Sequence, residues 1–331
     1  MLRILKIIAL LWIGIGAAAA APLKPLDPEL EGYPYGYAVH SYRFTSQNQP
    51  MTMAYMDVRP PSFNGKNVLL LHGKNFNAAY WKTTIELLTS RGFRVIAPDQ
   101  IGFGKSTKPG CYHYTFQQLA RNTKGLLEAL GVKKTALLGH SMGGMLATRF
   151  ALMYPETTEK LILLNPIGLE DWKLKVPYVP IESWYANELK KDYDAIRRYQ
   201  QASYYDGKWK PEYDEWVNIL AGWTLHEAYP RIAWNAALTY DMIFTQPVVY
   251  EFKELTMPTL LIIGTRDRTA LGKNLVGDAV RETMGRYDRL GREVAAQIPR
   301  GRLAEIEGIG HLPHIEAFGR FKAALMPFLE R

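Results

Sequence analysis

The segment Gly139-His140-Ser141-Met142-Gly143-Gly144 constrains this chain more than any other. Directly before it, Thr135-Ala136-Leu137-Leu138 reads as a buried strand, and directly after it Met145 to Leu152 reads as a helix. A strand that turns at once into a helix forces its pivot residue into a strained backbone conformation. Gly139 and Gly143 remove the Cβ atoms that would collide at such a turn. The pivot is Ser141, so a hydroxyl is held up at the end of a sheet. The next amide, that of Met142, then sits at a helix N-terminus where a developing oxyanion can be stabilised. We therefore expect Ser141 to be a nucleophile.

Other short apolar runs repeat the strand signal. Asn67 to Leu71, Phe93 to Ala97, Lys160 to Leu164, Thr259 to Ile263 and Leu303 to Glu307 are each short enough for a strand covered on both faces. Helical patterns separate them at Ala78–Gly92, Phe116–Leu130 and, last, Glu316–Glu330. Tyr37–Phe44 and Met51–Val58 alternate as a hairpin of two edge strands should. Strands alternating with helices predict an α/β class, a mainly parallel sheet wound on both faces.

One stretch breaks the alternation. From Pro166 to about Lys253 no buried strand is evident and helices dominate, for example Ile181–Gln201 and Glu212–Leu225. Six of the eight tryptophans fall there. The expected organisation is a core from residues 21–165, a helical lid at 166–253 and a second core part at 254–331. Most lid aromatics should build the lid's own small core, with a minority facing a substrate cavity.

Residues 1–20 stand apart. Arg3 and Lys6 precede an apolar stretch from Ile7 to Ile15 and then an alanine run before Pro22, the order of a secretory signal peptide with cleavage after Ala20. An uncleaved N-terminal anchor is the alternative. Cleavage leaves no segment for stable membrane insertion and reduces the net charge from +8 to +6. The basic residues are scattered without interleaved aromatics, which argues against nucleic acid as a partner. The lone Cys111 cannot form an internal disulfide, so an exported chain of this kind suits a bacterial periplasm or medium. No metal-ligand spacing or phosphate-cradling loop emerges, and we expect neither metal nor cofactor, with a small molecule as the partner.

A serine hydroxyl needs a base and a carboxylate that orients the base. Among seven histidines, His311 lies in Gly308-Ile309-Gly310-His311-Leu312-Pro313, a rigid loop between the last strand and the last helix. His314 is its local competitor, expected to cap the helix or sit at the rim. Asp267 follows the Thr259–Ile263 strand within Gly264-Thr265-Arg266-Asp267, where a strand end meets a loop. It could instead be a surface group paired with Arg266 or Arg268. The position after the preceding strand holds Asn165-Pro166, leaving only Glu170 or Asp171 as other acids.

Four motifs in order now support a resemblance: His72-Gly73-Lys74-Asn75, Asp99-Gln100-Ile101-Gly102-Phe103-Gly104-Lys105-Ser106, the serine turn, and the Asp267/His311 pair. Over residues 37–330 the chain resembles the α/β-hydrolase superfamily, in the single-lid branch that includes esterases, C–C bond hydrolases and cofactor-free haloperoxidases. The order Ser, Asp, His matches that fold. The resemblance implies that the backbone N–H of Lys74 is a second oxyanion donor beside Met142. It also implies that Gly73 allows close approach of the backbone, that His72 braces its loop, and that Asp99 organises loops below the site. Two departures matter. Epoxide hydrolases and haloalkane dehalogenases carry an aspartate where Ser141 stands, which argues against alkyl-enzyme chemistry. Lys74-Asn75 replaces an aromatic residue followed by proline, making the mouth more polar.

The activity expected is hydrolysis of a carboxylic ester of a small to medium, largely apolar substrate through an acyl-enzyme on Ser141. C–C bond hydrolysis of a ring-cleavage diketone is the alternative. Peptide-end hydrolysis would need a lid carboxylate such as Glu182, Glu188 or Glu227. A non-catalytic binding protein on the same scaffold is the remaining possibility.

Overall fold

The computed structural model describes residues 23–331, so the expected signal peptide lies outside the described residues. Eight strands form one sheet: β1 (Val39–Ser46), β2 (Gln49–Val58), β3 (Asn67–Leu71), β4 (Arg94–Pro98), β5 (Thr135–His140), β6 (Thr158–Leu164), β7 (Thr259–Gly264) and β8 (Gly301–Ile306). Their order is β1-β2-β4-β3-β5-β6-β7-β8. The hairpin β1–β2 joins antiparallel to β4, and every later pairing is parallel. Only β1 of the hairpin is an edge, since β2 is paired on both sides.

The unbroken apolar runs have a direct cause. In β3, Leu69 and Leu71 join one core while Val68 and Leu70 join the other, and β6 and β7 divide in the same way. A strand buried on both faces has no polar side to alternate with. Helices α1 (Lys82–Ser90), α2 (Phe116–Ala129) and α3 (Met142–Met153) connect the central strands. Thr115 caps α2 by accepting from Gln118 N at 2.9 Å.

Between β6 and β7 the chain forms no strand but α4 (Ile181–Glu188), α5 (Tyr193–Ser203), α6 (Asp214–Thr224) and α7 (Tyr229–Thr245). The single helix expected over 181–201 is therefore two. Asp192 takes an extended conformation and its carboxylate accepts from Ala195 N at 2.7 Å, starting α5 afresh. After β7 come α8 (Asp278–Arg281) and α9 (Tyr287–Ala295), and after β8 come α10 (Pro313–Glu316) and α11 (Phe318–Glu330). No helix among the described residues is long and apolar enough to cross a membrane.

Candidate active site

The carboxyl ends of the parallel strands gather the residues that the sequence singled out. Ser141 directly follows β5 with φ 57° and ψ −122°, a strained conformation for a residue with a Cβ, worth roughly 1–3 kcal/mol. The turn is closed so tightly that a Cβ on Gly139 would lie 2.1 Å from Gly143 O, and one on Gly143 2.1 Å from Leu71 O. Ser141 is the N-cap of α3, which puts Met142 N in the first turn. Neither Met142 N nor Lys74 N finds an acceptor among the described residues.

Asp267 follows β7 and is fully buried. Its Oδ2 accepts from His311 Nδ1 at 2.6 Å and its Oδ1 from Thr269 N at 2.8 Å. It is not a surface acid. Arg266 pairs with Glu316, and Arg268 turns to Asp288 at 3.6 Å. Glu170 and Asp171 are spent elsewhere, on Lys175 and on the Tyr250 hydroxyl. His311 Nε2 is buried and meets no hydrogen-bond partner among the described residues. The His311 ring stacks on Tyr204 at 4.7 Å, and Tyr204 lines a narrow cavity of about 40 Å³ together with Ser141. Serine, imidazole and carboxylate thus share one end of the sheet.

His72 does not face that cavity. Its Nε2 accepts from Gln100 N at 3.0 Å, so the proton is on Nδ1, donated to Gly73 O at 2.9 Å. Burial holds its pKa below the ordinary value, and the ring works as a neutral brace. A Cβ on Gly73 would come within 3.0 Å of Ser141 Cβ, which is why the turn runs through glycine. Asp99 accepts from Ala78 N at 2.7 Å, Lys105 N at 2.7 Å and Tyr35 OH at 2.8 Å, tying three loops beneath the site.

His314 departs from expectation. It is neither a cap nor a rim residue but is buried between Trp81 and Tyr80, with ring centres at 4.7 and 4.9 Å. Burial, reinforced by His311, pushes its pKa down to about 3. The apolar run around Pro313 folds inward because aromatic surface surrounds it, a contact that local sequence does not specify.

Several residues at the site were not read from the sequence. Asn165, in the left-handed region at φ 36°, donates Nδ2 to Asp267 Oδ2 at 2.9 Å and accepts from Gly264 N at 2.9 Å. A relay also joins the loop of Gly73 to that of His311. Gly73 N donates to Tyr80 OH at 3.0 Å, Tyr80 OH donates to His140 Nδ1 at 3.0 Å, and His140 Nε2 donates to His311 O at 2.9 Å. Burial, with three neighbouring histidines, keeps the His140 pKa well below its usual range, as this tautomer requires. The sequence marks His140 only as the residue before Ser141 in the serine turn.

The β6–β7 insertion contributes Trp172, Tyr199, Tyr204 and Tyr240 to the Ser141 cavity. A neighbouring cavity of about 50 Å³ shares Lys74 and Asn75 with it and is lined further by Glu188, Lys191 and Trp223. Glu188, one of the three carboxylates that peptide-end hydrolysis could use, is taken by an ion pair with Lys191. Glu182 and Glu227 are exposed and line neither cavity. No group of three or more His, Cys, Asp or Glu among the described residues is placed to hold a metal ion.

This fold and serine turn define a class. The sequence profile of the alpha/beta hydrolase fold family matches residues 66–318, and the chain belongs to that family. It is similar to the crystal structure of a probable hydrolytic enzyme from Pseudomonas aeruginosa PAO1, at 52% identity and a TM-score of 0.92, covering 93% of this chain and 99% of that one. A 108-residue stretch is 43% identical to a 2-hydroxy-6-oxo-6-phenylhexa-2,4-dienoate hydrolase of Burkholderia cepacia, covering 32% of this chain and 38% of that protein. A stretch of the same length is 42% identical to a 2-hydroxy-6-oxononadienedioate/2-hydroxy-6-oxononatrienedioate hydrolase of Comamonas testosteroni, with the same coverage. The chain thus matches less than half the length of these curated relatives.

Proposed function

We propose that this protein is a serine hydrolase that cleaves a carboxylic ester through an acyl-enzyme on Ser141. The observation that carries this reading is the His311 imidazole. It is held at Nδ1 by Asp267 and open at Nε2, beside the cavity that Ser141 lines. In the first step the Ser141 Oγ–H proton passes to His311 Nε2 as Oγ bonds to the carbonyl carbon. The N–H groups of Lys74 and Met142 hold the oxyanion. His311 then returns the proton to the departing alkoxide, leaving the acyl-enzyme. Water repeats the cycle in the second half, giving its proton to Nε2 and its oxygen to the acyl carbon, and Ser141 recovers its hydrogen. The insertion over residues 166–253 acts as the lid that keeps bulk water out.

The test is hydrolysis of a p-nitrophenyl ester panel together with fluorophosphonate labelling. Ser141→Ala and His311→Ala should each lower kcat by about 10⁵–10⁶. Near-native turnover in either variant, or labelling that survives Ser141→Ala, refutes the assignment. A second reading, C–C bond hydrolysis of a dienoate, is favoured by the partial similarity to the two dienoate hydrolases and by the polar Lys74-Asn75 lining. Product analysis with a ring-cleavage diketone separates it from ester hydrolysis.

A further inference from the structure

Lys74 stands where the two cavities meet, lining both. Its Nζ lies 3.5 Å from the centre of the Tyr240 ring and makes no ion pair among the described residues. Lys191 approaches the same ring, with Nζ at 5.6 Å from its centre and 3.5 Å from its hydroxyl. One carboxylate, that of Glu188, serves both lysines and is already bonded to Lys191. Tyr199, Tyr204 and Tyr240 complete the surroundings, and burial raises the pKa of each, so all three are neutral. The two lysines therefore share one carboxylate, and with Lys74 protonated the junction of the two cavities carries one cation more than it has anions.

An unpaired buried ammonium is costly, and its cost falls when an anion arrives. Lys74 is half-buried, and burial pushes its pKa down to about 7 although Glu188 pulls the other way. A purely structural lysine at the centre of a fold would be expected to own its counterion. Lys74 has only an aromatic face, a weaker partner that leaves the N–H donors open toward the cavity. The break between α4 and α5 is what brings Lys191 here, since a continuous helix would not turn at Asp192.

We propose that Lys74 and Lys191 form an anion subsite, so that the substrate of the Ser141 centre carries a carboxylate on the part held beneath the lid. Substrates of this class are half-esters of dicarboxylic acids, with the carboxylate remote from the scissile carbonyl. The inference rests on Ser141 being the reactive centre and deepens that reading. Asn75, whose Nδ2 donates to Tyr204 OH at 2.8 Å, keeps its carbonyl side for a hydroxyl or protonated group on the same ligand.

The experiment compares p-nitrophenyl hemiglutarate, which is anionic, with its methyl ester, in which one added methyl group removes that charge, and follows release of p-nitrophenolate from each. The readout is the ratio of their kcat/KM values, in which losses common to both esters cancel. The wild-type ratio should exceed one by about tenfold or more, the size of one hydrogen bond to a charged group. Lys74→Met should bring it near one. Glu188→Gln should move it the other way, to a stronger preference for the anion, which a merely structural role for this cluster would not produce. Binding of both esters to Ser141→Ala, followed by tryptophan fluorescence, gives the same comparison without turnover. If neither ester is cleaved and Ser141 takes no fluorophosphonate, the proposed hydrolysis fails while the binding comparison still judges the subsite. A wild-type preference for the methyl ester in binding or turnover, or a ratio unmoved by Lys74→Met, overturns the proposal.

Discussion

Asn165 donates its side-chain amide at 2.9 Å to Oδ2 of Asp267, the same oxygen that accepts the Nδ1 proton of His311. A carboxylate oxygen with two donors is fixed in direction, so the imidazole is fixed in turn. Asn165→Leu removes one donor without adding charge. We expect kcat to fall about tenfold with KM little changed, the loss of one charge-assisted bond. Asp267→Asn should be far worse, by about 10⁴ in kcat, because the amide favours the wrong tautomer. Steady-state kinetics on one neutral ester checks both.

Arg266 is the strap of the site. Its guanidinium donates to Tyr205 O at 2.6 Å on the insertion and to Gly308 O at 2.7 Å on the His311 loop, and it pairs with Glu316. Glu316 Oε2 also accepts from Gly310 N at 2.8 Å. Arg266→Ala leaves the Glu316 carboxylate without its cation, held only by Gly310 N, so a loss of about 3 kcal/mol in urea unfolding is expected. Replacing Glu316 by Leu in the same chain should recover part of the stability but not the activity, because the loop contacts of Arg266 stay broken.

His314 gives a pH-dependent prediction. Unfolded, it takes a proton near 6.5, whereas the folded ring does so only near about 3. Between those values the unfolded state binds more protons, so stability falls as the pH falls. At pH 5 the deficit from this residue is about 2 kcal/mol. His314→Phe keeps the ring contacts with Trp81 and Tyr80 and cannot charge. Relative to wild type it should gain about that amount of stability between pH 7.5 and pH 5, read from urea midpoints. His140 is depressed by the same burial and contributes equally to both chains.

Lys74 gives a second. Burial brings the pKa of its ammonium down to about 7, with Glu188 stabilising the charge and Lys191 opposing it. The neutral phenols of Tyr199, Tyr204 and Tyr240 face it from the other sides. The preference for the anionic half-ester should therefore be strongest at pH 6 and fade by about pH 8.5, since kcat/KM reports the free enzyme. His311 affects both esters alike and cancels in the ratio.

Gly73 offers a steric test. A methyl there would sit 3.0 Å from Ser141 Cβ and 3.1 Å from His140 Nδ1, contacts the rigid turn cannot relieve without moving. Gly73→Ala should fold at a cost of about 1–3 kcal/mol. Its kcat should drop about a hundredfold, as when one oxyanion donor is misplaced. Thermal melts and ester kinetics report the two effects separately.

The parts of this protein legible in its sequence are those with local causes. Apolar runs over 67–71, 135–138 and 259–263 mark strands because each is covered on both faces. The serine turn is legible because glycine alone fits its closest approaches. The helix expected over 181–201 misled, since its helical pattern runs through a break that Asp192 makes by capping a new helix. What only the tertiary structure decided are meetings between distant segments: Asn165 with Asp267, Tyr80 with His140, Lys74 with Lys191. Periodicity and turn chemistry act over a few residues, whereas these contacts depend on how the sheet orders its strands and where the insertion folds back. Residue types far apart in the chain carry no mark of the partner that folding will bring to them.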